Sequence, residues 1–257
     1  MSTERVLLAV DFTAETLRLL IAEPGGNPLG REEWPLPELA DEAAWSWEVG
    51  GRIATLFARD GGQRSAAGIA VAAPGAVDAA SGTLLRSTGQ RAWDGLAVAD
   101  ALRRHIDAPI VAENRTVVAL TGERWRGAAQ GADDVLYCSL RGEPSAAALV
   151  GGRQLRGAHG EAGAWPAMPE LTAENAAQTL ETVAGLVADA SALLDPAIVV
   201  LDADEAHVGR LVTLVQSVID EVAPGPRVVA SALGEDGPLI GAVLMAETVA
   251  YEGGFGP

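Results

Sequence analysis

Apolar residues follow two patterns along this chain: short continuous runs typical of buried strands, and longer stretches with helical spacing. The opening runs predict an antiparallel meander of strands at residues 6–12, 17–24 and 28–37. The rest of the first half predicts helices and strands in alternation: a helix at 41–59, a strand at 65–75, a helix at 94–106 with Asp94 as its N-cap, a strand at 108–113 and a helix at 114–129.

The second half repeats this order. Its predicted elements are strands at 133–140, 146–152 and 153–158, a helix at 173–194, a strand at 197–204, a helix at 207–223, a strand at 226–233 and a helix at 238–251. A meander followed by alternating helices and strands, occurring twice, predicts a duplicated α/β architecture with two mixed sheets flanked by helices. We expect one lobe at residues 1–112, with the helix 237–250 packing back on it, and a second lobe at 113–236.

Charge and cysteine content narrow the class of protein. The 257 residues include 35 acidic and 18 basic ones, a net charge of −17, so direct binding to nucleic acid is not expected. A single cysteine, Cys138, excludes internal disulfides and a cysteine-rich zinc site. The apolar runs are too short to span a membrane and the first residues lack a signal pattern, so we expect a cytoplasmic protein.

One strand end combines three polar residues. Glu113, Asn114 and Arg115 follow a buried-looking strand and lead into a helix. Polar residues at the carboxyl ends of strands are where α/β proteins place their chemistry. An arginine at such a place is unexpected in so acidic a chain.

Several stretches together resemble the ROK family, which groups bacterial sugar kinases with sugar-responsive repressors. They occur in the family's order and are residues 68–85, 93–95, 110–114, 122–140, 151–163 and 193–202. The resemblance implies a two-lobed actin-like ATPase (ribonuclease H-like) fold that binds sugar and ATP between its lobes. It also implies self-association, for which we expect a homodimer.

The phosphate-binding loops that the resemblance implies are altered in this chain. The first would follow the opening strand, where Asp11 and Thr13 remain, but the family's glycines are absent and Glu15 adds a negative charge. The second would lie at residues 141–145, where Pro144 removes an N–H donor. The resemblance also implies a glycine pair near the nucleotide after a later strand. Residues 202–205 stand there instead, and three of these four residues are acidic. We therefore expect no nucleotide cofactor.

The catalytic base that the resemblance implies is an aspartate directly after Glu113 and Asn114. Arg115 stands there instead, and a guanidinium remains protonated and cannot act as a base. Loss of a general base costs roughly a hundred- to ten-thousand-fold in rate. Transfer of phosphate by the family's mechanism should be nearly abolished.

The sugar and zinc residues of the family are also missing. Its sugar-binding Glu and zinc-binding His would fall at Ala164 and Ala167, and its cysteine stretch is absent, so we expect no zinc. The remaining candidates for a ligand site are Gly75, Glu113, Asn114, Arg115, His159 and Glu161.

These candidates also have structural interpretations. Asp11 could cap the hairpin turn, Asn114 is a suitable helix N-cap, and His159 with Glu161 could be a surface pair. Arg115 has three interpretations: an ion pair with Asp11 or Glu161, which we favour; a grip on an anionic sugar acid or sugar phosphate; or a plain surface residue.

The favoured hypothesis is a ROK-like protein without catalysis that binds a small sugar-like or anionic ligand or acts as a regulator. Because few residues precede the first strand, we do not expect this chain to bind an operator directly. One alternative is an active sugar kinase, using ATP and Mg²⁺, with Asp78, Asp94, Glu113 or Glu161 as a substitute base. Another is a partner-binding scaffold.

Overall fold

The computed structural model describes residues 5–62, 64–165, 174–221 and 225–253. Within these ranges the strands are β1 (Arg5–Phe12), β2 (Thr16–Ala22), β3 (Pro28–Pro35), β4 (Ser65–Ala73), β5 (Gly75–Asp78), β6 (Thr83–Ser87), β7 (Ile110–Asn114), β8 (Val135–Ser139), β9 (Ser145–Val150), β10 (Arg153–Gln154), β11 (Ile198–Asp202) and β12 (Arg227–Ala230). The helices are α1 (Glu42–Leu56), α2 (Val98–Arg103), α3 (Arg115–Arg126), α4 (Ala176–Leu194), α5 (Val208–Asp220) and α6 (Gly237–Glu252), with a π-helical turn at Phe57–Gly61 and 3-10 turns at Arg91–Trp93 and Gly234–Asp236. Across the described ranges, none of the helices has the length and apolarity needed to cross a membrane.

The described chain forms two compact units. The first comprises residues 5–122 and 238–253, and the second comprises residues 123–237. The helix α3 begins in the first unit and ends in the second.

The first unit contains a five-stranded mixed sheet in the order β3-β2-β1-β4-β7. The pairs β3–β2 and β2–β1 are antiparallel, whereas β1–β4 and β4–β7 are parallel. The central strand β1 is buried along nearly its whole length, which is why its sequence is a continuous apolar run. The edge strand β3 alternates between half-buried and exposed positions and carries Arg31, Glu32 and Glu33.

The second unit repeats this arrangement. Its five-stranded sheet has the order β10-β9-β8-β11-β12, with antiparallel β10–β9 and β9–β8 pairs and parallel β8–β11 and β11–β12 pairs. The predicted α/β fold with a meander and alternating helices in each half is therefore confirmed. In both sheets the last antiparallel strand is followed by helices that return the chain to a parallel neighbour.

The first unit has an aromatic core. The ring of Phe12 lies 5.1 Å from that of Trp45 and 5.6 Å from that of Trp93. The helix α6 packs tightly onto this unit because Gly68 of β4 faces the Ala246 carbonyl, where a Cβ would collide. In the second unit, the core forms between α4, α5 and the sheet and consists mainly of Val, Leu and Ala.

The helix predicted at 94–106 is present only as α2, and its predicted start and Asp94 cap are wrong. A 3-10 turn at Arg91–Trp93 precedes an extended segment, and the helix α2 begins only at Val98. Leu84 pairs with Leu96 through backbone hydrogen bonds that keep this segment extended against β6. Asp94 instead accepts a hydrogen bond from the Ser87 N–H at 2.8 Å, which fastens the segment to a β5–β6 hairpin that was not predicted.

Candidate functional site

The carboxylate of Asp11 lies near the end of β1 between two arginine side chains of the first unit. Arg18 is directly opposite Asp11 in the β1–β2 pairing, and its Nε donates to Asp11 Oδ2 at 2.9 Å, with Nη2 donating to the same oxygen. Arg115, at the start of α3, donates from Nε to Asp11 Oδ1 at 2.7 Å and from Nη2 to Oδ2 at 3.3 Å. Both carboxylate oxygens therefore accept charge-assisted hydrogen bonds.

Burial makes this cluster more than a surface ion pair. The exposed fraction of the side chain is 1% for Asp11, 6% for Arg18 and 20% for Arg115. The ion pair between Arg115 and Asp11 was the favoured interpretation of the sequence, and it is present. Arg18 was missed, although a charged residue within the apolar strand LRLLIA was a signal that it pairs with something. A ligand-binding role for Arg115 stays a prediction.

Asn114 joins the end of β7 to the start of α3. Its Oδ1 accepts hydrogen bonds from the N–H groups of Thr116 at 2.9 Å and Val117 at 3.2 Å, the pattern of a helix N-cap. Its Nδ2 donates to the carbonyl of Gly75 at 2.6 Å. The N-cap interpretation of Asn114 is thus confirmed, while a sugar contact by this residue stays a prediction.

Gly75 and Glu113 complete this corner of the first unit. Gly75 has a φ of 131° and faces the carbonyl of Arg86 so closely that a Cβ would collide with it. Only glycine fits there, and its carbonyl is thereby held against Asn114. Glu113 is buried, with 3% of its surface exposed, and its Oε1 accepts a hydrogen bond from the Asn114 N–H at 2.8 Å.

The turn between β1 and β2 is closed by hydrogen bonds of its own. The Oγ1 of Thr13 accepts from the N–H groups of Glu15 at 3.2 Å and Thr16 at 3.0 Å, and the Thr13 N–H donates to the Thr16 carbonyl at 2.9 Å. A phosphate-binding loop needs several N–H groups that converge on an anion. Those of residues 13, 15 and 16 are directed into the turn itself.

An arginine also lies at the end of the central strand in the second unit. Arg141 donates from Nε to Asp202 Oδ1 at 2.7 Å, from Nη1 to Glu235 Oε1 at 2.9 Å and from Nη2 to the Ala203 carbonyl at 2.8 Å. Burial by itself would lower the pKa of Arg141, but the hydrogen bond to Asp202 and the charges of Asp202 and Glu235 raise it above its ordinary value. The guanidinium is therefore held charged between two carboxylates.

Asp202 is enclosed rather than presented to a ligand. Its Oδ2 accepts hydrogen bonds from the hydroxyls of Tyr137 at 3.0 Å and Ser139 at 3.3 Å, and 3% of the residue is exposed. Asp204 accepts from the N–H of His207 at 3.0 Å. These two carboxylates serve contacts within the unit, and the expectation that no nucleotide binds beside residues 202–205 stays a prediction. No local sequence pattern indicated the Arg141 network, which joins residues far apart in the chain.

The remaining predicted site residues belong to the second unit. His159 and Glu161 are exposed in the loop after β10 of the second unit, whereas the Asp11 cluster belongs to the first unit. The N–H of Ala164 donates to the Glu161 carbonyl at 3.0 Å, and Ala164 pairs with Ser145. Ala167 lies outside the described residues.

Two of the substitute bases have partners in the first unit. Asp78 accepts hydrogen bonds from the Ser81 hydroxyl at 2.8 Å and the Ala80 N–H at 3.1 Å, which lower its pKa below the ordinary value. Asp94 is bound to the Ser87 N–H. A lowered pKa weakens a carboxylate as a proton acceptor.

Two buried side chains of the second unit are structural. Burial raises the pKa of the Cys138 thiol well above its ordinary value, so this cysteine is inert in the folded unit. Glu123 is fully buried and accepts hydrogen bonds from the N–H groups of Ala128 at 2.6 Å and Leu233 at 2.9 Å and from the Ser231 hydroxyl at 2.5 Å. In the parts of the chain that the structure describes, no three His, Cys, Asp or Glu side chains are grouped to hold a metal ion.

Comparison with known proteins connects these features to a family. The ROK family matches residues 50–171 of the chain. A glucokinase of Halalkalibacterium halodurans is 25% identical over 162 residues, which are 63% of this chain and 49% of that protein. The chain thus spans about half the length of this curated relative. The predicted relationship to the ROK family is confirmed.

Solved structures share the fold over almost the whole chain. A ROK family transcriptional regulator, a homolog of the E. coli Mlc protein, has a TM-score of 0.81 at 17% identity and covers 97% of this chain and 79% of its own. A putative N-acetylmannosamine kinase of Listeria monocytogenes has a TM-score of 0.76 at 15% identity, covering 97% and 99%. A ROK glucokinase of Streptomyces griseus, solved with glucose and AMPPNP, has a TM-score of 0.71 at 19% identity, covering 95% and 99%. The predicted actin-like ATPase fold is confirmed.

Proposed function

We propose, from its relationship to the ROK proteins, that this chain is a sugar-kinase homologue that has lost catalysis and serves as a ligand-binding or regulatory protein. The observation that carries the proposal is Arg115 at the start of α3, ion-paired with the buried Asp11. The family resemblance implies a catalytic aspartate at the position of Arg115.

Proton chemistry supports the loss of catalysis. The sugar hydroxyl that attacks a phosphoryl group must give up its proton, and Arg115 cannot accept one. Asp11 is a poor replacement, because it is buried and both its oxygens already accept hydrogen bonds from guanidinium groups. The catalytic loss expected from a missing base is about a hundred- to ten-thousand-fold.

The nucleotide side of the reaction is weakened as well. The turn after β1 uses the N–H groups of residues 13, 15 and 16 for its own closure. In the second unit, Arg141 is committed to Asp202 and Glu235. These contacts favour a protein that works without ATP, Mg²⁺ or zinc.

The ligand we propose is a small sugar-like or anionic molecule. Glucose is bound in the solved structure of the S. griseus glucokinase, which shares the fold. In the first unit, the guanidinium of Arg115 is 20% exposed at the start of α3, and its planar fork suits the carboxylate of a sugar acid or the phosphate of a sugar phosphate.

A regulatory role is supported by the likeness to a ROK transcriptional regulator. Direct contact with nucleic acid is not expected of a chain with a net charge of −17, so regulation would act through the ligand or a protein partner. We place the protein in the cytoplasm, in keeping with its single cysteine. Self-association stays a prediction.

An active sugar kinase with a rearranged site is the second candidate, and the similarity to a glucokinase favours it. It would need Asp78, Asp94, Glu113 or Glu161 as its base. The hydrogen bonds that lower the pKa of Asp78 weaken that residue as a base. A scaffold that binds only a protein partner is the third candidate.

A thermal-shift panel tests the ligand proposal. The protein would be melted with neutral sugars, sugar acids, sugar phosphates and ATP with Mg²⁺. We expect stabilisation by an anionic sugar and its loss in Arg115→Ala. Arg153→Ala, which removes a positive charge from an exposed position of β10, is the matched control and should respond like the wild type. Stabilisation by ATP with Mg²⁺ would favour the kinase instead, and no response to any compound would favour the scaffold.

A further inference from the structure

The two arginines that hold Asp11 differ in how firmly they are placed. Arg18 lies within β2, directly opposite Asp11 in the strand pairing, and donates twice to Oδ2 from an almost completely buried side chain. Arg115 is the first residue of α3, is more exposed and donates to the two carboxylate oxygens at 2.7 Å and 3.3 Å. Arg18 is therefore the fixed partner of Asp11, and Arg115 is the accessible one.

Asp11 occupies the edge of Arg115 that would hold a ligand anion. A guanidinium binds a carboxylate or a phosphate best through two parallel N–H groups. The Nε and Nη2 groups of Arg115 form such a pair, and both donate to Asp11. An anion that binds through this edge must displace the Asp11 carboxylate, and the charge of Asp11 offsets that of Arg115 whichever edge the anion uses.

The start of α3 places recognition of an anion on this guanidinium. The first N–H groups of a helix often bind anions. In α3 the N–H groups of Thr116 and Val117 already donate to Asn114 Oδ1, at 2.9 Å and 3.2 Å. With these two donors occupied by the N-cap, Arg115 is the group of this helix start that is best suited to an anion.

Arg18 lowers the cost of releasing Arg115 from Asp11. A buried carboxylate that loses its partners is strongly destabilised. When Arg115 turns to a ligand, Asp11 keeps both hydrogen bonds from Arg18 and stays compensated. If Arg18 were absent, the same movement of Arg115 would leave a buried charge unpaired.

We propose, on the premise of the anionic ligand inferred above, that Asp11 is an internal competitor for Arg115 and that Arg18 permits the exchange. The ion pair between Asp11 and Arg115 closes the site until a sugar acid or a sugar phosphate replaces Asp11. Arg18 is a positioning residue, because it acts on the ligand only through Asp11. The apparent affinity is then the intrinsic affinity of the site reduced by the fraction of molecules in which the ion pair is open.

Substitutions of Asp11 and Arg18 should change the affinity in opposite directions. Asp11→Asn removes the competing charge and should tighten anion binding by about tenfold, whereas Arg18→Met leaves Asp11 with Arg115 alone and should weaken it by about tenfold. Arg18→Lys keeps a positive charge opposite Asp11 and should recover most of the affinity. If the cluster were only structural, Asp11→Asn and Arg18→Met would both weaken binding.

Isothermal titration calorimetry, carried out below the melting temperature of every variant, measures these affinities. The probes are glucuronate and glucose 6-phosphate, with glucose as the neutral comparison, whose response should be the same in all variants. Val49→Ala is the matched control for stability. It weakens the buried core of the first unit away from the cluster and should bind the anions like the wild type.

The outcomes separate this inference from the proposed ligand. If the wild type binds an anion through Arg115 and Asp11→Asn binds it no more tightly, the competition is overturned and the ligand stands. If only Asp11→Asn binds an anion, the competition is supported and the wild-type site is closed. If neither binds, both ideas are overturned.

The substitutions of Arg18 decide the question if Asp11→Asn does not fold. Weaker anion binding by Arg18→Met than by Arg18→Lys would support the exchange. Equal affinities of these two variants would overturn it.

Discussion

The first unit holds one buried carboxylate between two guanidinium groups, and the second unit holds one guanidinium group between two carboxylates. Asp11 is shared by Arg18 and Arg115, whereas Arg141 is shared by Asp202 and Glu235. The named side chains therefore carry a net charge of one positive in the first cluster and one negative in the second.

This difference separates two roles. The paired guanidinium groups of the first cluster suit an anionic ligand better than the paired carboxylates of the second cluster do. Burial does not separate the two clusters, since Arg115 is 20% exposed and Arg141 22%, so the distinction rests on charge. We infer that the first cluster is the better candidate for ligand binding and the second is a structural lock on the ends of β8 and β11.

The largest loss in the free energy of unfolding should come from removing Asp11, the carboxylate that Arg18 and Arg115 share. Asp11→Ala leaves Arg18 buried with its charge uncompensated, and breaking a buried pair in this way costs about 3–5 kcal/mol. Urea unfolding followed by tryptophan fluorescence reports mainly on the first unit, which holds four of the six tryptophans: Trp34, Trp45, Trp47 and Trp93. Asp11→Asn, which keeps the shape and removes the charge, should be nearly as damaging. A loss below about 1 kcal/mol would show that Arg18 does not depend on Asp11.

A smaller loss is expected for Arg141→Ala. Asp202 would keep the hydroxyl donors Tyr137 and Ser139, so we expect a loss of about 2 kcal/mol rather than the full effect of an unpaired charge. The buried Cys138 of the same unit allows a selective measurement, since its thiol reacts only after the unit opens. The urea dependence of thiol labelling should shift in Arg141→Ala and remain unchanged in Arg153→Ala. If the wild type and Arg141→Ala showed the same urea dependence of thiol labelling, Arg141 would not stabilise the second unit.

Arg115→Ala should cost less than either change. Arg18 continues to hold Asp11, and Arg115 is one-fifth exposed, so we expect a loss of about 1 kcal/mol in urea unfolding followed by fluorescence. A loss as large as that of Asp11→Ala would mean that the two arginines act as one unit. That result would weaken the distinction between a buried structural pair and a more accessible binding residue.

The smallest expected effect is on the pH dependence of thermal stability, through Asp78 in the β5–β6 turn. The Ser81 hydroxyl and the Ala80 N–H lower the pKa of Asp78 in the folded protein. A lowered pKa contributes stability above the unfolded value of about 3.9, and this stability is lost as the pH falls through the folded value. Asp78→Asn should therefore melt slightly below the wild type at neutral pH, with the difference vanishing in acid. A difference between the two melting temperatures that grows as the pH falls would contradict a lowered pKa of Asp78.

Local sequence patterns predicted the parts of the site that depend on near neighbours. Asn114 was predicted as a helix N-cap, because a suitable side chain followed a strand and preceded a helical stretch. The pair of Arg18 and Asp11 was missed, although it too depends on near neighbours. A tight turn at residues 13–16 places Arg18 opposite Asp11. The ion pair between Arg115 and Asp11 was expected because the two side chains carry opposite charges.

Distant contacts were predicted only in part: the pair of Arg115 and Asp11 was expected, whereas the pair of Arg141 and Asp202 was not. Arg141 and Asp202 meet because β8 and β11 are parallel neighbours with Ser139 opposite Asp202, a register that no local pattern specifies. The helix expected from Asp94 failed for a similar reason, since helical spacing was overridden by backbone pairing of Leu96 with Leu84. In both cases tertiary contacts decided the structure.

The most direct test of the central proposal is sugar-dependent release of ADP by the purified protein. The assay supplies ATP with Mg²⁺ and a panel of hexoses and amino sugars, and mass spectrometry detects any sugar phosphate. With Arg115 in place of a base and Asp11 already bound by two arginines, we predict no release above the sugar-free background. Repeated turnover with a matching sugar phosphate would contradict the account and make this chain an active sugar kinase.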